Sequence, residues 1–360
     1  MGRRRKNVLM ATIANVVLFE EKNRVSVGKA HLKECGPSEL VCETLYSTIS
    51  PGTELRMLGG HYGAEGKYPF VPGYSSFGRV VEVGAEVPGW RVGDLINARN
   101  TVAFDDVLAL WGGHSGFKVI PTLGEDRPVR LPQGADPLDY LVTDLAAISL
   151  RGVEAAAPKA GETAVVIGQG LVGALSAAWL GIHGCRVIVV DLEEARLERA
   201  LRNGAAFAVS PRESDAVSRI QSLCNGGADI VVEASGTSQG VETAFRLLRR
   251  KPQNYSKEYI VEPMRFYGGD WPRLVFQANY LEPFPWKPDG CLPGEAAIFI
   301  TPRDRGVEER QRVVEHIRAG RLKSRDFVER IFPWADAPDA YAALGKRQIF
   351  SAVLDWRGGH

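Results

Sequence analysis

The sequence has few cysteines, no long apolar run and no excess of charge of either sign. Its five cysteines form no CxxC pair, which argues against a disulfide framework or a zinc ribbon and favours a reducing cytoplasm. No apolar run is long enough to predict a bilayer-spanning helix. Lysine and arginine (44) balance aspartate and glutamate (43), so no global field attracts nucleic acid or an anionic membrane. We therefore expect a cytoplasmic protein that acts on a small-molecule substrate and has neither nucleic acid nor membrane as a partner.

The chain of 360 residues changes its pattern near the middle. Residues 1–145 contain short β-type runs broken by glycine and proline. From about residue 160, strands and helices alternate, which is typical of a doubly wound parallel sheet. The predicted fold class is therefore α/β, with a mostly β domain followed by a Rossmann domain. Near the end, Val307–Ala319 predicts an amphipathic helix, and the charged run Arg305–Arg312 predicts a solvated face on it.

A glycine-rich turn marks the start of the second half. The strand at residues 164–167 runs straight into Gly168, Gly170 and Gly173, which have GxGxxG spacing, and a helix follows. The first glycine allows the tight turn, the second lets the backbone approach a pyrophosphate, and the third lets the helix pack on the strand. The helix N-terminus supplies N–H groups and a partial positive charge for the phosphates. The turn therefore predicts a dinucleotide site.

The end of the next strand indicates which dinucleotide is bound. Asp191 ends that strand, where an acid bonds the ribose hydroxyls of NAD and repels the extra phosphate of NADP. Arg196 could accept that phosphate, but glutamates surround it, so we expect it to pack over the adenosine and NAD(H) to be the cofactor. The residues expected to contact the cofactor are Gly168, Gly170, Leu171, Val172, Gly173, Asp191, Leu192, Arg196, Ala234, Ser235 and Gly236.

Further motifs, taken together, resemble the medium-chain dehydrogenase/reductase superfamily over essentially the whole length. They are Ile49–Glu54 (ISPGTE), Pro72–Gly84 (PGYSSFGRVVEVG), Arg91–Asp94 (RVGD) and Gly112–Pro121 (GGHSGFKVIP), together with the Rossmann unit. The resemblance implies a GroES-like catalytic domain at residues 1–146, completed by residues 302–360, and a Rossmann domain at residues 147–301. It also implies a homodimer, because we expect the strand Ala296–Ile300 to lie at the edge of its sheet.

The sequence departs from the zinc-dependent alcohol dehydrogenases of this superfamily at every metal position. Their first ligand, a cysteine, matches Ser50. Their Gly-His-Glu triplet matches Gly73, Tyr74 and Ser75. Their last ligand falls near Asp144. Oxygen-bearing side chains without histidine or cysteine make a poor zinc site, so we expect no metal.

Without zinc, hydrogen-bond donors and an acid/base group must handle the proton of the substrate hydroxyl. By the resemblance, Thr53 matches the hydroxyl that begins the proton relay of the zinc enzymes, and Glu54 matches a carboxylate behind the metal. Tyr74 replaces a ligand histidine and could donate to the substrate oxygen, Asp144 stands at the last ligand position, and His61 lies in a nearby loop. Each has a structural alternative: Tyr74 could only fill space, Thr53 and Glu54 could cap a helix, and His61 could be solvated.

Two groups within the superfamily are the most similar, the hydroxyethyl-bacteriochlorophyllide dehydrogenases and bacterial dehydrogenases that oxidise sugar hydroxyls. The resemblance implies an NAD(H)-dependent, zinc-independent secondary alcohol/ketone oxidoreductase, acting in biosynthesis on a sugar, a cyclitol or a natural-product intermediate. Two alternatives stay open: an NAD(P)H quinone or enoyl reductase, and a non-catalytic dinucleotide-binding protein. The atypical segment Tyr267–Gly294 either shapes the substrate pocket or forms a dimer surface. We expect His114, in a glycine turn, to be structural.

Overall fold

The computed structural model describes residues 13–101, 104–249, 271–281, 298–302 and 306–358. The chain divides into two compact units. Unit 1 comprises residues 1–144, 306–318 and 323–360, and unit 2 comprises residues 145–305 and 319–322. The return of residues 319–322 to unit 2 was not predicted from the sequence.

Unit 1 contains a small sheet with the strand order β2-β1-β4-β7. Its strands are β1 (Ile13–Glu21), β2 (Arg24–His31), β4 (Phe70–Val71) and β7 (Leu108–Ala109). The strands β1 and β2 form a hairpin, because they pair antiparallel and turn at Lys22 and Asn23. Asn23 has φ +63°, a left-handed conformation that asparagine tolerates better than most residues.

A second, larger sheet of unit 1 has the order β16-β17-β3-β5-β6-β9, and β8 also pairs with β3. Its strands are β3 (Glu39–Ile49), β5 (Ser76–Val83), β6 (Leu95–Ala98), β8 (Phe117–Pro121), β9 (Val129–Arg130), β16 (Arg330–Pro333) and β17 (Ala352–Asp355). The tail of the chain completes this sheet, because β17 pairs antiparallel with β3, with Asp355 opposite Tyr46.

The described part of unit 1 contains three α-helices, which are α1 (Pro51–Leu58), α7 (Val307–Arg318) and α8 (Ala337–Gly345). Ser50 is the N-cap residue of α1, and Pro51 follows at the first helical position, where its missing N–H costs nothing. Met57 on α1 and Tyr341 on α8 belong to one buried cluster with Phe19 of the small sheet. This cluster holds the end of α1 through Met57, and it also contains Ile49, which directly precedes Ser50.

Unit 2 contains a sheet in which every neighbouring pair of strands is parallel. Its strands are β10 (Thr163–Ile167), β11 (Arg186–Val190), β12 (Phe207–Val209), β13 (Ile230–Glu233), β14 (Arg273–Phe276) and β15 (Ile298–Ile300). They lie in the order β12-β11-β10-β13-β14-β15. The order reverses between β10 and β13, and ligands of such sheets bind at the carboxyl ends of the strands beside this switch point.

The helices of unit 2 connect these strands. They are α2 (Thr143–Ala155), whose first two residues belong to unit 1, α3 (Leu171–Ile182), α4 (Glu194–Arg202), α5 (Ala216–Leu223) and α6 (Ser238–Leu247). Val165, Ile188, Val231 and Leu274, one from each of four neighbouring strands, form a buried cluster with apolar faces of α5 and α6. Strands buried on both faces read as continuous apolar runs, as in TAVVI and RVIVV.

Three sequence expectations can be compared with these elements. The strand β15 lies at one end of the sheet order, and Ile298 and Phe299 are exposed. Pairing of that edge with a second copy stays a prediction, which a solution mass of a single chain would contradict. The four cysteines in the described ranges are free, and no helix in those ranges is long and apolar enough to span a membrane.

One expectation about the fold was wrong. The charged run Arg305–Arg312 was predicted to be a solvated face, but Arg310 is only 1% exposed and Glu309 only 7%. The helix α7 turns Arg310 into unit 1, where Asp144 supplies a negative charge. A charged run gives no sign of such a distant partner, so the amphipathic pattern alone misled the prediction.

Candidate functional site

The glycine-rich turn after β10 has a shape that requires its glycines. Gly168 has φ +89°, and a Cβ on it would lie 2.7 Å from Ser235 N. A Cβ on Gly173 would lie 1.9 Å from Gly168 O, so α3 packs directly against the turn. Gly170 differs, because nothing lies within 4 Å of the position that its Cβ would take. The open space at Gly170 is where a pyrophosphate approaches the backbone in this kind of turn.

The N-terminus of α3 lies at the same turn. Gly170 is its N-cap residue and supplies no side-chain hydrogen bond. The N–H groups of Leu171, Val172 and Gly173 have no acceptor within the helix, as in the first turn of any α-helix. With the helix dipole, they form a partial positive charge that suits phosphate. The turn and the helix therefore fit the dinucleotide that the sequence predicted.

Asp191 follows β11 directly and is held by the backbone. Its Oδ2 accepts a hydrogen bond from Gln169 N at 2.6 Å, and its Oδ1 accepts one from Glu193 N at 2.9 Å. Arg196 Nη1 lies 3.8 Å from Asp191 Oδ2, so the guanidinium is beside the carboxylate. Leu192 is 44% exposed next to them. This arrangement fixes a carboxylate close to the glycine turn, at the carboxyl end of the sheet.

The third predicted contact, Ala234–Gly236, follows β13 on the other side of the switch point. Ala234 C lies 2.9 Å from the position of a Cβ on Gly168, so this loop packs tightly against the glycine turn. Gly236 has φ +68°, which a glycine adopts without strain. The structure thus brings the three predicted groups of cofactor residues to one end of the parallel sheet.

In unit 1, two positions that match zinc ligands carry hydroxyl groups bonded to each other. Tyr74 is 4% exposed, and its hydroxyl donates to Ser50 Oγ at 2.8 Å. The Arg99 guanidinium carbon lies 5.3 Å from the centre of the Tyr74 ring, and Trp111 packs edge-on at 5.4 Å. The hydroxyl pair therefore lies at the N-terminus of α1, and a cation lies over the ring of Tyr74. Both features favour negative charge on an oxygen placed there.

Behind this pair, Glu54 is fully buried and accepts three hydrogen bonds. Its Oε1 accepts from Ser50 N at 2.8 Å, and its Oε2 accepts from His114 Nε2 at 2.8 Å and from the hydroxyl of Tyr341. Burial, and then the Glu54 carboxylate, raise the pKa of Tyr341 well above its ordinary value, so that this hydroxyl stays a donor. Glu54 therefore ties the start of α1 to His114 and to α8.

The donors around His114 determine which ring nitrogen carries its proton. Trp356 Nε1 can only donate, and it donates to Ser47 Oγ at 2.8 Å. Ser47 Oγ can then give its own hydrogen to His114 Nδ1, which lies 2.8 Å away. Glu54 Oε2 faces Nε2 at 2.8 Å, and since a carboxylate accepts hydrogen bonds, the proton of a neutral imidazole is on Nε2. His114 is fully buried and bonded on both nitrogens, which agrees with the structural role that its glycine turn suggested.

Asp144 lies at the start of α2 and is enclosed by polar partners. Its Oδ2 accepts from Asn97 Nδ2 at 2.6 Å, while its Oδ1 lies 3.6 Å from Arg99 Nε and 3.9 Å from Arg310 Nε. Burial raises the pKa of the Asp144 carboxyl, Arg310 and Arg99 lower it, and the net direction is upward. Arg310 also donates to Asn97 Oδ1 at 3.3 Å and to carbonyls of the loop before β9. Arg99 therefore joins this buried cluster to the Tyr74 ring.

Lys118 is a further buried cation in unit 1. It is fully buried, and its Nζ donates to Ser76 Oγ and, at 3.2 Å, to Gly113 O. Burial lowers the pKa of Lys118 to about 8, although Cys42 and Asp144 act in the opposite direction. A lysine of this kind loses much of its charge in weakly alkaline solution.

The structure links four of the five predicted catalytic residues and leaves the fifth apart. Thr53 and Glu54 lie in the first turn of α1, Glu54 contacts Ser50, and Asp144 reaches Tyr74 through Arg99. His61 lies in the exposed loop after α1. Glu54 also accepts the N-cap N–H, as the capping alternative expected. Glu54 and Asp144 are buried among hydrogen-bond donors and cations. This environment favours a role in positioning Ser50 and Arg99 over the role in proton transfer that the sequence suggested.

Several residues of this cluster were missed from the sequence. They are Asn97, Arg99, Trp111, Arg310, Tyr341 and Trp356. They come from a strand, loops, helices and the tail, and none belongs to a motif with a recognisable spacing. The only available signal was the position of Arg99, directly after a buried strand.

These residues do not fit a zinc ion. Ser50 and Tyr74 are neutral hydroxyls that are already bonded to each other, and Asp144 is held by an amide and flanked by two guanidinium groups. A zinc ion would have to compete with those cations for a single carboxylate. Within the ranges that the structure describes, no group of three or more histidine, cysteine, aspartate or glutamate residues is arranged to hold a metal.

Two family models match separate parts of the chain. The alcohol dehydrogenase GroES-like domain matches residues 36–121, and the zinc-binding dehydrogenase model matches residues 172–252. A sorbitol dehydrogenase from Halalkalibacterium halodurans is 27% identical over 231 residues, which are 59% of this chain and 67% of that enzyme. A probable D-xylulose reductase A from Arthroderma otae is 29% identical over 206 residues, 50% of this chain and 57% of that protein. The chain thus aligns with about half to two thirds of these relatives.

Solved structures cover more of the chain at lower identity. A protein described as a zinc-binding dehydrogenase from Sinorhizobium meliloti 1021, bound to NADP, has a TM-score of 0.78 and 20% identity, and covers 95% of this chain and 99% of its own. A protein described as a short chain alcohol dehydrogenase from Escherichia coli CFT073, complexed with NADH, has a TM-score of 0.76 and 17% identity, and covers 96% and 99%. At this identity the likeness shows the fold.

The fold, the glycine-rich turn of unit 2 and the polar cluster around Tyr74 in unit 1 define a dehydrogenase with a Rossmann unit and a mostly β unit. The two family-model matches and the named dehydrogenases support membership of the medium-chain dehydrogenase/reductase superfamily, in agreement with the resemblance noted from the motifs. The match to the GroES-like domain lies in unit 1, and the match to the zinc-binding dehydrogenases lies in the Rossmann domain of unit 2.

Proposed function

We propose that this protein is an NAD(H)-dependent oxidoreductase that interconverts a secondary alcohol and a ketone without a metal ion. Its substrate is a small molecule, such as a sugar, a cyclitol or a natural-product intermediate. The named relatives include a sorbitol dehydrogenase and a probable xylulose reductase, which supports chemistry at a secondary hydroxyl. The chain aligns with only part of those proteins, so the substrate class rests on the resemblance as well.

One observation carries the proposal: the hydrogen bond between the hydroxyls of Tyr74 and Ser50, at 2.8 Å. Both residues match positions where relatives of this superfamily bind zinc. A hydroxyl pair at these positions supplies a hydrogen-bond donor where the metal would act as a Lewis acid. The Arg99 guanidinium lies 5.3 Å from the centre of the Tyr74 ring. It supports the replacement of the metal by hydroxyl groups, because a cation favours negative charge on an oxygen near it.

The nicotinamide, when bound, accepts or returns the hydride. In the reductive direction, the Tyr74 hydroxyl turns its hydrogen from Ser50 Oγ to the carbonyl oxygen of the substrate, on which negative charge develops. A tyrosine hydroxyl has an unperturbed pKa of roughly 10, so it serves as a donor more easily than as a base. Glu54 holds the Ser50 backbone and thereby positions the partner of Tyr74. Asp144 acts through Arg99, which it holds over the ring.

A variant of Tyr74 tests this role. We expect Tyr74→Phe to lower kcat at least ~tenfold, with NADH affinity unchanged, because a group acting in the transition state affects kcat. Thr53→Ala is expected to do the same. Tyr68→Phe is the matched control, since it also loses a tyrosine hydroxyl bond in unit 1, to Met57 O and Leu58 O. Wild-type kcat in Tyr74→Phe, measured with NAD and a panel of secondary alcohols, would place catalysis elsewhere, with His61 the next residue to test.

The metal proposal is tested on the same preparation. We expect elemental analysis to find no stoichiometric zinc and turnover to be indifferent to a chelator. A stoichiometric zinc ion that is lost together with activity would overturn the assignment of Ser50 and Tyr74. Turnover of quinones or enoyl substrates with NADPH, and not of alcohols with NAD, would favour a reductase of the other class.

The NAD(H) preference depends on Asp191. Its carboxylate is held by Gln169 N and Glu193 N, and it would repel a 2′-phosphate. Related structures hold either NADP or NADH, so the preference needs a direct measurement. We expect NADH to bind at least ~tenfold more tightly than NADPH, and Asp191→Gly to narrow that difference. Calorimetric titration that gives tighter binding of NADPH would reverse the preference, with Arg196 as the group that receives the phosphate.

A further inference from the structure

Glu233 is fully buried at the carboxyl end of β13, beside the switch point of the sheet. Its carboxylate accepts hydrogen bonds from Ser235 N at 2.8 Å and Gly236 N at 3.2 Å, and from the hydroxyls of Ser235 and Tyr280. All four groups are donors, which suits an ionised carboxylate because it only accepts. These bonds hold the loop Ala234–Gly236 at its base.

The helix that follows is shaped around the same carboxylate. Thr237 Oγ1 caps α6 by accepting from Gly240 N at 3.0 Å, and it lies 2.9 Å from Ser235 Oγ. A Cβ on Gly240 would lie 2.5 Å from Glu233 Oε1 and 2.2 Å from Ser235 Oγ. The absence of a side chain at Gly240 therefore lets the helix approach this cluster.

Tyr280 reaches Glu233 from the segment after the next strand, β14. Its ring packs edge-on against Phe276, with 6.1 Å between ring centres. Gln277 N and Ala278 N both donate to Glu233 O, at 2.8 and 3.2 Å, so backbone and side chain of Glu233 hold the same segment. The Tyr280 hydroxyl bonds to Oε2, the oxygen that also accepts from Gly236 N.

The loop fixed in this way is the one that packs on the dinucleotide turn. Ser235 N lies 2.7 Å from the position of a Cβ on Gly168, so a shift of the loop would change the shape of the turn. In a doubly wound sheet, each set of strands on either side of the switch point binds one mononucleotide half. Asp191 belongs to the adenosine half, on β10–β12. The loop after β13 therefore belongs to the nicotinamide half.

We propose that Tyr280 and Glu233 are positioning residues for the nicotinamide half of the cofactor, through the loop Ala234–Gly236. This rests on the proposed function only in that a nicotinamide dinucleotide is the ligand. The sequence had assigned the segment around Tyr280 to a substrate pocket or a dimer surface. Most of that segment lies outside the described residues, but Tyr280 itself contacts the cofactor loop through Glu233.

The test compares a whole dinucleotide with its adenosine half. We expect Tyr280→Phe to weaken NADH binding about tenfold, equal to about 1.4 kcal/mol, in a fluorescence titration. The affinity for AMP, measured by calorimetry, is expected to stay within about twofold of wild type, because Asp191 and α4 are untouched. Glu233→Gln, which removes the charge and turns one acceptor into a donor, is expected to act in the same direction and more strongly.

Tyr68→Phe is the matched control. It also loses a tyrosine hydroxyl bond, to Met57 O and Leu58 O, but in unit 1. Its NADH affinity is expected to equal that of wild type. Wild-type NADH affinity in Tyr280→Phe would overturn the proposal. An equal loss of NADH and AMP affinity would overturn it as well, because it would show that the substitution disturbs the whole of unit 2. If the wild-type protein binds neither NADH nor NADPH, the cofactor of the proposed function itself is wrong.

Discussion

The dinucleotide turn of unit 2 is formed by backbone atoms, whereas the hydroxyl pair of unit 1 is formed by buried side chains. The turn is a short run of consecutive residues, Gly168–Gly173, and its shape depends on the missing side chains of Gly168 and Gly173, while Gly170 leaves room for a ligand. The hydroxyl pair joins Ser50 to Tyr74 and is held by Glu54, which in turn receives Tyr341 from the tail of the chain. One site is made of backbone and the other of buried side chains.

This difference determines which substitutions each site tolerates. A backbone site is sensitive to any added atom at its glycines, but it needs no distant partner. The site in unit 1 contains buried charges, Asp144 with Arg99 and Arg310, which are stable only as a set. Removing one member of such a set leaves an uncompensated charge away from water. The two units should therefore respond to mutation in different ways, one through ligand binding and the other through stability.

The largest expected effect is on the stability of unit 1. We expect Arg310→Met to lower the free energy of unfolding by about 3–5 kcal/mol, because Asp144 stays buried after losing a cation. Chemical denaturation measures this. The matched control on the same helix is Arg312→Met, whose side chain is 43% exposed and whose change is expected to stay below about 1 kcal/mol. A loss under about 1 kcal/mol in Arg310→Met would show that the buried set is not cooperative.

The next effect is on binding in unit 2. We expect Gly173→Ala to weaken NADH binding at least ~100-fold, or about 2.7 kcal/mol, because its Cβ would lie 1.9 Å from Gly168 O. Gly170→Ala is the contrasting variant, since its Cβ meets nothing within 4 Å. It should leave the free energy of unfolding nearly unchanged and still weaken NADH binding. Equal NADH affinity in Gly173→Ala and wild type would show that the turn adapts and that the comparison between the units is wrong.

Much of the fold follows from local pattern. The alternation of strands and helices predicted the Rossmann unit, and the described strands and helices do alternate from β10 to β13. The strand β14 was not predicted, because a run of only four residues, Arg273–Phe276, stands in a segment rich in proline and aromatics. Short central strands depend on their neighbours for stability, so their own sequence carries little signal.

Less of the site in unit 1 could be predicted, for a physical reason. The motif positions indicated Tyr74, Glu54 and Asp144. A motif identifies a position in the sequence, but it does not identify the residues that contact that side chain in the folded protein. Arg310 lies far along the chain and reads as one more charge on an amphipathic helix. Whether such a side chain faces water or a buried carboxylate depends on tertiary packing, which no local spacing encodes. The dinucleotide turn has no such dependence, so its residues could be identified from their spacing.

The smallest effect concerns pH and again separates the buried charges of unit 1 from the backbone site. Burial lowers the pKa of Lys118 to about 8, from an ordinary value of 10.5. Between these values the unfolded chain binds more protons than the folded one, so the free energy of unfolding must rise with pH. From roughly pH 7 to roughly pH 9.5, this lysine should add about 2 kcal/mol to the free energy of unfolding.

We expect the variant Lys118→Met to lose this rise when the free energy of unfolding is measured by denaturation at several pH values. The control Lys346→Met, at an exposed lysine of the same unit, is expected to retain the rise. A variant Lys118→Met with the wild-type slope would mean that another group titrates, and that the Lys118 ammonium keeps its charge through its bonds to Ser76 and Gly113.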